Sequence, residues 1–463
     1  MASTKLSPAR RAALAVLDEA RRRDVYVRDV LDGKALEGLD VRDAGLARRL
    51  VLGVTATEGC LDELLNRFLT KPNKVAPRVR VALRVSAFEL MYLGTSTEVA
   101  VSQGVELTRS ALTAASGLAN AVLRKVAAAT DGYLAAADVA DAERSHVTAA
   151  RRAGLPLWLA DQIEASRGEY ATTALFAAEL EPAPIAAHAA RSAANRQTGA
   201  MGLPGCIAPT DVRDRGVRDE LAKGGLVISD AHAQLIATAA TRPGSCLEIG
   251  AGRGTKTYIM QAQAKRAGFE HTHIALDLYE GKCRLNLERL ERAGLAEHAQ
   301  TVAGDACDLD VALADLDAAA GERRLFDTVF VDAPCSGTGT MRRHPEIPWR
   351  LTPEDVNRNL PQLQLAMLKQ AATRIAPQGE LLYATCSVLK QENEAVIEAF
   401  LSSPQGAAFK LVPLSGADVF CQPGFERAAH AVKAHESTKG LFQTVPALSK
   451  YDGHFCARLI KVI

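Results

Sequence analysis

The sequence predicts a multidomain protein in which an all-α helical bundle precedes an α/β doubly wound, Rossmann-like domain. Apolar residues recur at three- and four-residue spacing through residues 1 to 130, short apolar runs alternate with helical patterns from Gly224 onward, and a glycine-rich loop follows the first of those runs. At 463 residues, 48% of them hydrophobic, the chain has material for about two to four domains with buried cores.

The first helix is expected at Ser7-Pro8, serine as cap and proline in the first turn. Leu14 and Leu17, then Val27, Val30 and Leu31, then Leu46, Leu50, Val51 and Val54 repeat with the period of amphipathic helices. Pro72 and Pro77 mark breaks, Val81 to Leu93 reads as one apolar helix, and Val101 to Val126 as another. From Thr130 to about Ala150 the Ala- and Asp-rich sequence predicts a connecting helix or linker. Residues 151 to 222 combine a helix around Trp158 to Tyr170 with Gly/Pro-punctuated stretches such as Gly199 to Pro209, a small α+β region.

In the last part, strands are expected at Cys246 to Ile249, His273 to Leu278, Thr328 to Val331 and Glu380 to Ala384, with a further strand before Gly304. Thr352-Pro353-Glu354 opens the helix that precedes the last of them. This alternation belongs to a mostly parallel sheet with helices on both faces.

Composition excludes several classes. No run of uncharged apolar residues reaches the roughly 18 that a membrane helix requires, and the start carries no signal-peptide pattern, so a cytoplasmic protein without a membrane span is expected. Nine cysteines without a Cys-x-x-Cys pair argue against a disulfide framework and a zinc ribbon, and no metal is expected. Net charge is +1, yet residues 1 to 130 hold 20 Lys or Arg against 14 Asp or Glu. Arg67, Lys71, Lys74, Arg78, Arg80 and Arg84 follow one another with no acid between them, a run able to neutralise phosphates or to form an ordinary solvated helix face.

Two cysteine signatures carry the chemistry: Asp332-Ala-Pro-Cys335-Ser-Gly-Thr-Gly339 and Tyr383-Ala-Thr-Cys386-Ser387. They suit covalent chemistry on a base. Cytosine C5 is too electron-poor to attack a methyl donor until a nucleophile has added at C6, and a thiolate performs that addition well. Upstream, Glu248-Ile-Gly250-Ala251-Gly252-Arg253-Gly254 follows a predicted strand and precedes a helix beginning near Lys256. Glycines let the backbone approach a ligand, and the helix N-terminus favours negative charge. The third glycine comes too early for a dinucleotide fingerprint, and Asp277, 27 residues past Gly250, fits a nucleoside-binding acid of the S-adenosylmethionine pattern. Asp305 and Asp332 follow or end the next strands, so three acids fall at carboxyl ends of strands, where open α/β sheets bind ligands.

Residues 224 to 463 resemble the RNA cytosine-C5 methyltransferases of the NOL/NOP/Sun family, and residues 1 to 130 resemble the NusB-like domain that its Sun/Fmu-type members carry in front. Besides the two cysteine signatures, the likeness rests on Arg342-Arg-His-Pro-Glu346, Glu392-Asn-Glu394, Asn120-Ala-Val-Leu-Arg124 and Asp452-Gly-His-Phe-Cys-Ala-Arg-Leu459. It implies a NusB-like RNA-binding domain at 1–130, a linker and small α+β RNA-binding subdomain at 131–222, and an S-adenosylmethionine-dependent methyltransferase domain at 223–463. The implied activity is methyl transfer to C5 of a cytosine in RNA, 16S rRNA as the first choice and transfer RNA as an alternative, by a protein expected to be monomeric. A non-catalytic RNA-binding protein on a degenerate scaffold is a further alternative.

By the same resemblance Cys386 is the nucleophile, Cys335 assists release, Asp332 meets the cytosine edge and Lys256 holds Asp332. The cofactor would lie on Gly250, Ala251, Gly252, Arg253, Gly254, Thr255, Lys256, Asp277, Asp305 and Asp332. Arg342, Arg343 and His344, with Lys71, Lys74 and Arg78, would meet RNA phosphates. One departure stands out: the family loop Cys-Ala-Ala-Pro-Gly-Gly-Lys is here Gly250-Ala-Gly-Arg-Gly-Thr-Lys256, with the lysine kept in register.

Overall fold

The computed structural model describes residues 5–31, 34–190, 200–209 and 214–462. The chain divides into two compact units, Met1–Pro182 with Met341–Leu351, and Ala183–Thr340 with Thr352–Ile463. Among the described residues no helix is long and apolar enough to cross a membrane.

The first unit is helical: α1 (Pro8–Arg23), α2 (Val27–Leu31), α3 (Val41–Ala56), α4 (Glu58–Asn66), α5 (Pro77–Met91), α6 (Thr97–Ala111), α7 (Ser116–Leu134), α8 (Asp141–Ala153) and α9 (Leu157–Ala178). Leu14, Leu17, Leu50, Val51, Val54, Leu61, Leu64, Val85, Phe88 and Leu123 share its core, as the periodicity predicts. Pro8 opens α1, but Ser7 makes no side-chain cap bond. Pro77 likewise sits in the first turn of α5, which therefore starts four residues earlier than Val81. The single helix expected over Val101 to Val126 is two, because Leu112 turns extended (φ −158°) and a short turn over Thr113–Ala115 separates α6 from α7.

The segment from Thr130 onward is no loose linker. It holds the end of α7 and then α8, whose Arg151 reaches Asp138 at 2.7 Å, Glu63 at 3.0 Å and the Tyr133 carbonyl at 3.0 Å. Those bonds draw α8 into the helical unit, which as a compact body continues to Pro182.

The unit also incorporates Met341–Leu351, which follows the first four strands of the main sheet in the chain. There a short helix (Ile347–Arg350) presents Trp349, whose indole N–H donates to the Ala56 carbonyl at 2.7 Å; a Cβ on Gly59 would lie 2.0 Å from its ring. Glu346 accepts the Val27 N–H at 2.8 Å, and Arg28 donates to the Arg343 carbonyl.

The second unit opens with β1 (Ala187–Ala189), β2 (Cys206–Ile207) and β3 (Leu226–Ile228) as an antiparallel sheet ordered β2-β1-β3, with α10 (Arg215–Ala222) before β3. Within the expected Gly199 to Pro209 stretch, Gly199 lies outside the described residues. After α11 (Ala231–Ala239) comes the main sheet: β4 (Gly244–Ile249), β5 (His271–Asp277), β6 (Ala299–Ala303), β7 (Phe326–Asp332), β8 (Ile375–Thr385), β9 (Phe409–Val412), β10 (Phe442–Gln443) and β11 (Phe455–Lys461). Among the described residues the order is β10-β11-β8-β7-β4-β5-β6, with β9 also paired to β11; β4 through β8 are parallel, and β11 is antiparallel.

Alternate residues feed two cores. Cys246, Phe330 and Leu382 pack on one face with Tyr258, Ile259 and Met260 of α12 (Thr255–Ala267). Leu247, Val329, Val331 and Leu381 pack on the other with Met367 and Leu368 of α13 (Leu360–Ala372). This is the doubly wound arrangement. Thr352 accepts the Asp355 N–H through its hydroxyl at 3.2 Å at the start of the expected helix, which runs through a wide turn over Asp355–Asn359 into α13. With β5 and β6 on one side of β4 and β7 and β8 on the other, the winding reverses beside β4, the position where such sheets bind ligands.

Candidate active site

The glycine loop lies beyond the carboxyl end of β4. Gly250 and Ala251 donate their N–H groups to the Leu276 carbonyl at 2.9 and 3.0 Å, which folds the loop back over β5. Gly250 has φ 80°, and a Cβ there would meet the Asp332 carbonyl at 2.3 Å; Gly254 has φ 77°, and a Cβ there would meet Asn286 Oδ1 at 1.9 Å. Only glycine fits either place. The loop thereby keeps bare backbone at the strand ends, a cradle that suits S-adenosylmethionine, and Gly252 N–H donates to Asp277 Oδ2 at 2.9 Å. Tyr279 N–H at 3.0 Å and Lys282 Nζ at 3.5 Å face the other oxygen of that buried acid. Arg253 points to solvent, and Thr255 accepts from Arg289 at 2.8 Å.

Asp305 is placed differently. It is exposed, and Oδ1 accepts the Cys307 N–H at 2.8 Å, holding the turn after β6; of the strand-end acids it alone lines a cavity of about 610 Å³ between β6 and Leu316.

Lys256, in the first turn of α12, donates to Asp332 Oδ2 at 2.7 Å. Burial opposes the lysine charge, yet the carboxylate outweighs it and holds the ammonium above its usual pKa. The β7–β8 register sets Asp332 beside Ala384, so the loops that follow bring the cysteines together with Sγ atoms 3.2 Å apart. The Cys386 N–H also donates to Cys335 Sγ at 3.3 Å. Both thiols are partly open to solvent.

Their proton affinities diverge. Hydrogen bonding from Cys335 lowers the Cys386 pKa, with burial opposing and the charges of His454 and Lys256 helping. Cys335 is pushed well above its usual range, first by donating to Cys386 and then by burial. Of the two sulfurs, Cys386 is therefore the one that gives up its proton more readily.

Polar residues beneath hold both loops. Glu392 accepts from Ser336 N–H at 2.8 Å, Ser387 hydroxyl at 2.6 Å and Gln364 amide at 3.0 Å. Asn393 accepts from the Thr385 hydroxyl at 2.6 Å and donates to the Ser387 carbonyl at 2.9 Å. A Cβ on Gly339 would meet the Gly453 carbonyl at 2.0 Å, so the first cysteine loop packs directly on the turn before β11.

That turn carries a further residue, outside both cysteine signatures. The β11–β8 register pairs Phe455 with Thr385, which brings His454 alongside Cys386. Burial works against its protonation, but Asp230, with Oδ1 3.5 Å from Nε2, prevails and raises its pKa. The signal was present in Asp452-Gly-His454, read only as part of a resemblance.

The proposed RNA-contact residues fall in the helical unit. Lys71, Lys74 and Arg78 are exposed, Arg78 standing 3.7 Å from Asp18 Oδ2. The uninterrupted basic run is partly neutralised in three dimensions: Arg67 pairs with Glu63 and Asp138, Arg80 with Asp62, and Arg84 with Asp62 and Glu58. Arg342, Arg343 and His344 belong to Met341–Leu351 of that unit, while the cysteines belong to the other.

The 16S rRNA methyltransferase RsmB/F family matches residues 237–460, and the NusB family matches residues 7–128. Ribosomal RNA small subunit methyltransferase B of Thermus thermophilus is 31% identical over 423 residues, covering 91% of this chain and 89% of its own. The enzyme of that name from Xanthomonas campestris is 30% identical across 99% of this chain and 97% of its own. The crystal structure of PH0851 superposes with a TM-score of 0.72 over 99% of this chain and 100% of that one at 21% identity. A methyltransferase homologue from Pyrococcus horikoshii gives 0.52 over 68% and 99% at 20%, so both share the fold. Identity of this order along nearly the full length, with family matches to both parts of the sequence, has one consequence: the chain belongs to the 16S rRNA methyltransferase RsmB/F family, with a NusB-family domain in front.

Proposed function

We propose that the protein methylates C5 of a cytosine in small-subunit rRNA through a transient bond between Cys386 Sγ and C6 of the base. S-adenosylmethionine-dependent RNA methylation comes with the family; the base, the atom and the residue roles rest on the divergent proton affinities of two sulfurs 3.2 Å apart. Gly250, Ala251, Gly252 and Asp277 would hold the methyl donor, which when bound supplies an electrophilic methyl group. Arg253, Gly254 and Thr255 shape the same loop, and Asp305 stands at the next strand end.

Cys386 adds as a thiolate, and Asp332, fixed by Lys256, receives the polar edge of the base in an orientation set before reaction. Once the Cys386 sulfur is bonded to carbon it no longer carries the charge that Cys335 was stabilising. The main cause raising Cys335 is then gone, so its thiol can release its proton to solvent; the resulting thiolate takes the C5 proton, and the Cys386–C6 bond breaks with its electron pair returning to Cys386.

Residues 1–130 act as a NusB-like RNA-binding domain and 131–222 as a smaller RNA-binding element. Lys71, Lys74, Arg78, Arg342, Arg343 and His344 give phosphate contacts that position RNA without reading its sequence. The test is methylation of rRNA by the parent and two variants, with bisulfite sequencing to locate the base. Cys386→Ala should lose activity, and Cys335→Ala should accumulate a denaturant-resistant protein–RNA complex. Retained activity in the first, or no complex in the second with methyl donor present, overturns the assignment.

A further inference from the structure

At the amino ends of β4 and β5, away from the cysteine loops, Cys246, His271 and His273 form a buried trio. Cys246 and His273 are register partners on adjacent parallel strands, and His271 stands two residues before His273 on the same face. One donor atom from each lies within 4.8 Å of the others.

The outward nitrogens of both rings are committed. His271 Nδ1 lies 2.8 Å from the Arg242 carbonyl, which can only accept, so this nitrogen carries the proton and Nε2 keeps its lone pair. His273 Nε2 lies 2.9 Å from Glu248 Oε2, which also accepts the Thr257 hydroxyl at 2.5 Å, so Nε2 is the nitrogen that donates to this oxygen. The inward nitrogens, His271 Nε2 and His273 Nδ1, face each other at 3.3 Å. With one proton per ring two lone pairs oppose one another, an arrangement that requires a positive centre between them.

Two nitrogens on one tetrahedral ion, each about 2.0–2.1 Å from it, would be roughly 3.3 Å apart. A carbonyl and a carboxylate on the far nitrogens are the partners that metal-bound histidines use to fix their tautomers. Glu248 Oε1 is buried with no hydrogen-bond partner, a negative charge that a cation would offset.

We propose that Cys246 Sγ, His271 Nε2 and His273 Nδ1 bind a thiophilic d10 cation, zinc(II) or copper(I). Sulfur with two imidazoles selects such ions over hard cations. Binding releases the Cys246 thiol proton to solvent and changes no oxidation state. The ion pins the amino ends of the two strands whose carboxyl ends carry the glycine loop and Asp277.

The experiment uses the full chain without an affinity tag, loaded separately with zinc(II) and, under reducing conditions, with copper(I), then desalted and analysed for metal per chain. One equivalent of either ion is expected, retained in the Cys335→Ala/Cys386→Ala double variant and lost in Cys246→Ser. X-ray absorption on the loaded parent, which needs no variant to fold, should show one sulfur and two imidazole nitrogens. No retained metal means that a proton bridges the two rings, and two sulfurs around the ion place it on other cysteines; either result overturns the proposal.

Discussion

The Ser336 N–H donates to Glu392 Oε1 at 2.8 Å, so a buried carboxylate beyond the second cysteine holds the residue that follows the first. Because the Ser387 hydroxyl reaches the other oxygen of Glu392, both loops are aimed by one side chain. Glu392→Ala strands three buried donors and should cost about 3 kcal/mol, with a larger fractional loss of methylation than of folded protein. Glu392→Gln should retain more of both, as urea unfolding followed beside activity will show.

Cys335→Ala removes the principal stabiliser of the Cys386 thiolate as well as the group that completes release. The Cys386 pKa should rise, and since only the thiolate adds, the acid limb of the rate of covalent complex formation should move to higher pH. Quenched-flow capture of the complex across a pH series measures that displacement directly.

His454→Gln deletes the imidazole whose charge helps lower the Cys386 pKa while leaving both thiols in place. The acid limb of kcat/KM should again move upward, with activity recovering at alkaline pH. Asp230→Asn should shift it in the same direction, because Asp230 raises the proton affinity of His454.

Lys256→Met keeps the length of the side chain but leaves Asp332 without its ammonium. Methylation should fall by about 10²–10³-fold, the scale for losing one preorganised electrostatic group, while melting temperature changes little. Equal losses in kcat and kcat/KM would place the effect in the transition state.

Trp349→Ala opens a hole in the first unit and removes the bond to the Ala56 carbonyl. It should cost about 2–3 kcal/mol, below the full value for a buried tryptophan because Trp349 is partly exposed. Gly59→Val should be comparably damaging from the opposite side of the contact, and thermal unfolding of both variants checks the pair.

The doubly wound sheet could be read from the chain because apolar runs, glycines and strand-end acids are local features. The meeting of Cys335 with Cys386 was suggested by paired signatures, and parallel neighbours β7 and β8 realise it. What escaped depends on distant partners. His454 matters only because β11 runs antiparallel beside β8, and Cys246 meets His271 only through strand pairing. The partial neutralisation of the basic run is hidden from the sequence for a related reason: Asp62 lies on α4, close in space to Arg80 and Arg84 though earlier in sequence. The break at Leu112 carries no proline, so nothing in the apolar period marked it.

The helical unit takes Met341–Leu351 as one of its own parts, and that dictates an order of events during synthesis. The ribosome delivers the first nine helices long before Trp349 exists, so the nascent bundle must wait, with the surface around Gly59 uncovered, until half the strands of the later sheet have emerged. A gene fragment ending near Pro182 would make that wait permanent, yielding a bundle prone to aggregate unless a peptide spanning Met341–Leu351 is supplied in trans.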